Sequence, residues 1–192
     1  MSNFVIDINQ LNDLNGIFKK NDVSFQNKTK KLYNLTFNNK QLFIVFKGKV
    51  NQFKAIPKNK CFIEIDNKEY DLLKKLLLKI EKDLNLTILK DDFLYIKNNK
   101  FLISWYPGYF KDNNPIIFTN CYKLDTLKKL NLNEIPNKFN GFFTIKLKYI
   151  CENSYNNIKL TLLTDLYEIM VDEKLEEIVP LSLKIVSNYK KM

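Results

Sequence analysis

The sequence predicts a mainly β protein (α+β) with one inserted amphipathic helix, and three patterns carry this prediction. Residues 40–66 alternate apolar and polar side chains over two short stretches, as strands do. Residues 141–151, GFFTIKLKYIC, alternate in the same way. Residues 70–84 alone repeat apolar side chains at spacings of three and four, which is the helical period. One helix among many short strands is therefore expected.

The helix is predicted at about residues 67–84. Asp66 followed by Glu69 has the spacing of a capping box, which marks the start of a helix. The apolar side chains that follow are those of Tyr70, Leu72, Leu73, Leu76, Leu77, Ile80 and Leu84. Lysines and acids interleave between them, so the other face is expected to be solvated.

Several short strands are predicted around this helix. Asp91 with Asp92 and Asn98 with Asn99 suit tight turns, because Asp and Asn tolerate positive φ. Residues 1–18 fit either a strand or a helix, and residues 21–39 suggest a basic loop followed by a short strand. The other predicted strands are 86–90, 93–97, 100–106, 116–119, 141–151 and 158–171, the last two forming a hairpin.

The bulk composition predicts one domain that spans residues 1–192. It has a basic N-terminal segment (19–40) and a short C-terminal extension (172–192). The 192 residues, 45% hydrophobic, suffice for a core without disulfides or metals. Three widely spaced cysteines suggest neither a disulfide framework nor a zinc cluster, and no apolar run has the length of a membrane span. An intracellular protein, in the cytoplasm or nucleus and away from membranes, is expected.

The residue types that are missing restrict the chemistry. The chain has no histidine, the commonest general base and zinc ligand, and all 31 basic residues are lysines. Without arginine, the bidentate contact that reads guanine in duplex DNA is missing as well. Asp66 has a structural role as a helix cap, and no phosphate-binding glycine motif occurs. We expect no enzyme activity, no cofactor and no metal site.

A surplus of lysine among aromatic residues gives the strongest functional signal. Residues 19–60 contain eleven lysines and one acid, which equals the net charge of +10 of the whole chain. Lysines between rings on strands can follow a phosphate backbone while the rings stack on bases. A lysine-rich solvated surface, as an AT-rich genome would encode, is the alternative. The candidate residues here are Lys47, Lys49, Phe53, Lys54, Lys58 and Lys60.

Two further groups complete the predicted site. Four rings and a lysine crowd on a Pro-Gly turn, which forms either a plug of the core or a stacking platform. The polar face of the strand at 141–151 adds two more lysines. These candidates are Trp105, Tyr106, Tyr109, Phe110, Lys111, Lys146 and Lys148.

The order of these elements resembles a five-stranded OB-fold barrel with a helix inserted mid-barrel and elaborated loops. At GFFTIKLKYICENSYNNIKLTLLTDLYEIMV the chain resembles the closing hairpin of the replicative single-stranded DNA-binding proteins of phages and large DNA viruses. The resemblance implies sequence-independent binding of single-stranded DNA in the replication or recombination of a virus or mobile element. Many members end in an acidic tail, whereas this chain ends in Lys190, Lys191 and Met192.

The same resemblance implies single-stranded DNA as the partner, with RNA left open, and it allows a homo-oligomer or contacts with replication proteins. A viral structural or host-interaction protein that does not bind nucleic acid is the alternative from another class. In that case the lysines would only keep the protein in solution. An electrophoretic shift with a labelled oligonucleotide separates the two alternatives.

Overall fold

The computed structural model describes residues 3–26, 29–53, 61–88, 93–105, 108–111, 114–117, 119–131, 134–153 and 159–172. For Trp105 and for residues 108–111 and 114–117 the description covers the backbone.

The described residues are mainly strands, with one α-helix, α1 (Asn67–Leu84), and one 3₁₀ helix (Ile8–Asp13). The strands are β1 (Asn3–Asp7), β2 (Phe18–Gln26), β3 (Lys30–Phe37), β4 (Gln41–Val50), β5 (Cys61–Ile65), β6 (Leu94–Lys97), β7 (Lys100–Trp105), β8 (Gly108–Lys111), β9 (Asn114–Ile117), β10 (Asn120–Lys123), β11 (Phe139–Asn153) and β12 (Lys159–Asp172).

Ten of these strands form one sheet with the order β10-β12-β11-β4-β5-β7-β6. β1 runs parallel to the first half of β4, and β3 pairs with both β2 and the second half of β11. β8 and β9 form a separate hairpin. The sheet is a curled, mostly antiparallel half-barrel, so the predicted mainly β, OB-like fold with an inserted helix is confirmed. It has ten strands rather than the predicted five, and β1, β2, β3 and β10 are among the strands that extend it.

The helix begins and ends where the sequence predicts. The side chain of Asp66 accepts a hydrogen bond from the backbone N–H of Glu69 at 2.7 Å, and the carboxylate of Glu69 accepts one from the backbone N–H of Asp66 at 3.3 Å. The helix ends at Asn85, which takes the left-handed conformation that asparagine tolerates. Its apolar stripe is buried against the sheet through Leu72, Leu73, Leu76, Leu77 and Ile80.

The two faces of the sheet differ in what they bury. The inner face, which carries Leu42, Ile44 and Phe46 of β4, packs on α1 in the large core. The opposite side, called the outer face below, buries a smaller cluster made of Val5, Phe43, Val45 and Phe142. Because neighbouring strand residues point to opposite faces, each strand contributes to both.

The N-terminal third departs from the sequence prediction. Residues 1–18, predicted as either strand or helix, contain both, because β1 is followed directly by the 3₁₀ helix. Residues 21–39, predicted as a basic loop and a short strand, form most of the β2–β3 hairpin instead. β3 gains its stability from pairing with β11, a contact distant in sequence that local composition does not reveal. The predicted Asn98–Asn99 turn is confirmed, with φ of 52° and 56°.

A glycine pair allows the sheet to curl. Gly48 of β4 lies directly opposite Gly141 of β11. A Cβ on Gly141 would overlap the backbone carbonyl oxygen of Met170 on β12, and one on Gly48 would overlap the side chain of Ile63. Glycine is therefore required here by the close approach of three strands.

The Gly141→Ala variant should lose about 2 kcal/mol or more of the free energy of unfolding, because backbone atoms of β12 must move to admit the methyl group. Chemical denaturation followed by circular dichroism measures this loss. Lys138→Ala, at an exposed position just before β11, is the control and should change stability by less than about 0.5 kcal/mol. Equal stability of the two variants would contradict the close-packing argument.

Candidate nucleic-acid interface

Two lysines reach the outer face because β4 changes its burial pattern half-way along. Its first six residues, up to Phe46, are buried on both faces, whereas Lys47 and Lys49 are exposed and Val50 is again buried. Alternation along the strand therefore turns both lysines to the outer face. At about 3.3 Å per residue their Cα atoms are about 7 Å apart.

These lysines line an open groove, called the lysine groove below, with a volume of about 400 Å³. The groove exists because β4 lacks a neighbouring strand along part of its length. β1 pairs with β4 only up to Val45, and β5 pairs with it only at Lys49 and Val50 before leaving for the helix. Its lining residues are Lys47, Gly48, Lys49, Glu64, Ile65, Asp66, Glu69 and Asn140.

Glu69 fills the gap beside β4 and joins the helix to the sheet. Its carboxylate accepts a hydrogen bond from the backbone N–H of Lys47 at 3.2 Å as well as the capping bond from Asp66. The side chain thus satisfies an N–H that would otherwise lack a strand partner. Burial, together with the neighbouring carboxylate of Asp66, raises the pKa of Glu69 to about 7.

The carboxylates of the groove all have partners within the protein. Glu64 accepts from Lys100 at 2.7 Å and from the amide of Asn51 at 2.6 Å, and the bond from Lys100 is the main reason that the pKa of Glu64 is lowered. Asp66 caps the helix. Among the described residues no carboxylate pairs with Lys47 or Lys49. Both ammonium groups can therefore bind an anion from outside the protein.

An aromatic pair lies on the outer face next to the groove. Phe62 is two residues before Glu64 on β5, so both side chains point outward, and Phe62 is 37% exposed. Its ring meets the ring of Tyr95 edge to face, with centroids 5.9 Å apart. An exposed ring beside two lysines is the combination that single-stranded nucleic acid uses.

A second group of charged and aromatic side chains lies farther along the outer face. This group, called the bulge patch, consists of Phe43, Lys146, Lys148, Asp165 and Tyr167. The buried Val45 and Phe142 lie between it and the lysine groove. The predicted lysines thus fall into two separate patches on one face of the sheet.

The structure describes part of the predicted aromatic turn and its surroundings. Trp105 ends β7 opposite Cys61, the first residue of β5, so the chain leaves the sheet beside the point where residues 54–60 enter it. Tyr109, Phe110 and Lys111 belong to β8, paired with β9. Lys54, Lys58, Lys60 and Tyr106 lie outside the described residues.

The prediction for Phe53 is corrected. This ring is only 8% exposed and packs edge to face on Phe139, with centroids 6.1 Å apart. Its backbone N–H donates to the carbonyl of Asn137 at 2.8 Å. Phe53 therefore belongs to the core and offers no face to a base in this conformation.

Two exposed rings, Phe62 and Tyr167, were absent from the predicted site. The signal for Phe62 was present in the sequence, because it alternates with the apolar Cys61 and Ile63, which are buried. Tyr167 carried no such signal. It lies at an irregularity of β12 that breaks the alternation, and a sequence pattern does not show where such an irregularity falls.

No protein-family model and no curated protein sequence matches the chain. Among solved structures it is similar to the single-stranded DNA-binding protein from bacteriophage Enc34. For the C-terminally truncated form the identity is 13% and the TM-score 0.47, over 82% of this chain and 97% of that one. For the complex of that protein with single-stranded DNA the identity is 13% and the TM-score 0.43, over 84% of this chain and 99% of that one. For the structure of that protein without a stated truncation the identity is 15% and the TM-score 0.44, over 87% of this chain and 99% of that one.

Two further observations on the described residues concern membrane spans and metal ligands. No helix among them is long and apolar enough to cross a membrane. No three cysteine or carboxylate side chains among them converge as metal ligands would. Asp66, the carboxylate nearest to a helix end, is the predicted cap.

The raised pKa of Glu69 predicts an unusual pH dependence of stability. Because folding raises this pKa, the contribution of Glu69 is full below its unfolded value of about 4.5 and is lost as the pH rises through about 7. We expect the free energy of unfolding to fall by an amount on the order of 2 kcal/mol across this window. Denaturant melts at intervals between pH 4.5 and 8 measure it, and the absence of histidine leaves few other groups to titrate there.

Two variants separate this effect from the remaining titrations. Glu69→Gln should flatten the curve in this window. Glu64→Gln should leave the decrease intact, because the pKa of Glu64 is lowered and its contribution is lost only as the pH falls. An unchanged pH profile in Glu69→Gln would show that the carboxylate does not titrate near neutrality.

Proposed function

We infer that the chain binds single-stranded DNA across the outer face of the sheet, without preference for base order and without catalysis. The observation that carries this proposal is the lysine groove. Lys47 and Lys49 lie two residues apart on one strand and form no ion pair among the described residues, and the exposed ring of Phe62 lies on the neighbouring strand β5. The charge of Lys49 also helps to lower the pKa of Glu64, which lies opposite it. The proposal thus rests on the chain's own residues.

The composition of the groove favours a flexible single strand over a duplex. Point charges on lysine contact phosphates, whereas duplex readout relies on arginine and on a helix or ribbon that enters the major groove. A curled sheet with rings on its open face instead suits unpaired bases, which can lie flat on the rings. Stacking accepts every base, so little sequence preference is expected.

The predicted lysines outside the described residues extend this proposal. Residues 54–60, with Lys54, Lys58 and Lys60, join the sheet at Cys61 beside Trp105, which leads to the predicted turn at 105–111. Both segments therefore adjoin the Cys61 end of β5, the strand that also carries Glu64 and Ile65 of the lysine groove. A strand bound in the groove could continue toward them, and we include them in the proposed binding surface.

Fluorescence anisotropy of a labelled mixed-sequence 20-mer tests this proposal. The parent should bind with a log K that falls linearly with log salt, at about −0.7 per phosphate contacted. The pair Lys47→Gln and Lys49→Gln should weaken binding and reduce the slope by about 1.4, because two contacts are lost. A duplex of the same sequence should bind more weakly, and an RNA 20-mer shows whether the sugar matters.

A matched control exists on the helix. Lys74 and Lys82 are exposed on α1, which packs against the inner face of the sheet. Replacing both by glutamine removes the same charge and should leave the slope within experimental error of the parent. Binding by the parent that does not depend on salt, or equal losses in the two double variants, would show that the groove is not the DNA site.

A further inference from the structure

Two irregularities in the β11–β12 ladder lie close together and bring two side chains to the outer face. Thr144 pairs with Glu168 but Ile145 pairs with Leu166, so Tyr167 is an extra residue on β12. Leu147 pairs with Thr164 but Tyr149 pairs with Leu163, so Lys148 is an extra residue on β11. Bulges of this kind re-aim side chains and are common next to functional sites.

The re-aimed tyrosine forms an open aromatic surface. Tyr167 is 40% exposed, and its ring meets the ring of Phe43 edge to face with centroids 5.2 Å apart. Phe43 itself is buried in the outer cluster and holds the tyrosine in place from below. The ammonium of Lys146 lies 5.6 Å from the centroid of Phe43. A ring that packs on another ring and is still exposed to solvent is suited to stacking with a base.

The two lysines of this patch share one exposed carboxylate. Asp165 lies opposite Lys146 in the ladder, yet its ion pair, at 2.7 Å, is with Lys148. Lys146 therefore has an aromatic contact and no ion pair among the described residues. Burial and the neighbouring Lys148 lower the pKa of Lys146, and Asp165 acts in the opposite direction. An anion at this position would relieve the unfavourable environment of Lys146.

The other carboxylate of this region, Glu168, is not an ion-pair partner of Lys146. Glu168 is buried on β12, opposite Thr144 and beside β10. Its charge contributes, after burial, to the raised pKa of Cys121 and Tyr122 on β10. A half-buried lysine next to an exposed ring therefore lies on this part of the outer face.

We propose that the bulge patch is a second contact site for the same DNA strand, with Tyr167 stacking on a base and Lys146 binding the adjacent phosphate. This inference rests on the proposed function and adds a site to it. Four residues separate Lys47 from Phe43 along β4, a distance of about 13 Å. At about 3.4 Å per stacked nucleotide, some four nucleotides span it. A 20-mer can therefore occupy the lysine groove and the bulge patch together.

The test compares Tyr167→Ala with Tyr167→Phe in the anisotropy titration of the mixed-sequence 20-mer. Tyr167→Ala loses the stacking of one base and should therefore bind the 20-mer about tenfold more weakly than the parent. Tyr167→Phe keeps the ring and should bind within twofold of the parent. Lys146→Gln should reduce the salt slope by about 0.7, the value of one phosphate contact. A strand with abasic positions should bind Tyr167→Ala and the parent with nearly equal affinity.

The outcomes distinguish a failure of the second contact site from a failure of the proposed function. If Tyr167→Ala and Lys146→Gln bind like the parent while the Lys47 and Lys49 pair is weakened, the bulge patch is not a contact site and the proposed function stands. If the parent does not bind, both proposals fail. Equal losses in Tyr167→Ala and Tyr167→Phe would overturn stacking. Thermal melts check folding, and Tyr167→Leu, which still covers Phe43 but offers no ring, replaces the alanine variant if that does not fold.

Discussion

The structure depends on the way β4 is buried. Its first six residues are covered on both faces, so the inner core and the outer cluster both pack on this one strand. Beyond Phe46 only the inner face stays buried, and the outer positions can carry charge without a desolvation cost. The lysine groove, the curl at the Gly48–Gly141 pair and the junction with the helix at Glu69 all lie within the four residues after Phe46 or beside them.

The burial of β4 also divides the outer face into two separate patches, the lysine groove and the bulge patch. Val45, which packs with Val5, Phe43 and Phe142 in the outer cluster, is buried between the lysine groove and the bulge patch. Each patch combines lysine with an exposed ring, Phe62 in one and Tyr167 in the other. A DNA strand that contacts two small sites at once is bound more tightly than by either site alone, because the second contact forms at high effective concentration.

The sequence predicted those features that depend on local patterns. The helix was located to the residue because Asp66 and Glu69 satisfy its first N–H groups and its apolar stripe has a clear period. Lys47 and Lys49 were selected because they stand beside aromatic residues on a predicted strand. The structure exposes both on β4, and their role in binding stays a prediction. The prediction for Phe53 was wrong, because the sequence pattern of an aromatic residue between lysines is the same whether its side chain points into the core or toward solvent. Tyr167 was missed, because a bulge shifts alternation by one residue and no turn or glycine marks it.

The central claim is that DNA lies on the outer face of the sheet, and lysine acetylation followed by mass spectrometry tests it most directly. The protein is briefly acetylated with and without a saturating 20-mer, and the modification of each lysine is compared. We expect the DNA to protect Lys47, Lys49 and Lys146, and to leave Lys74 and Lys82 on the exposed side of α1 as reactive as before. Protection of the helix lysines, or equal protection of all lysines, would contradict the account.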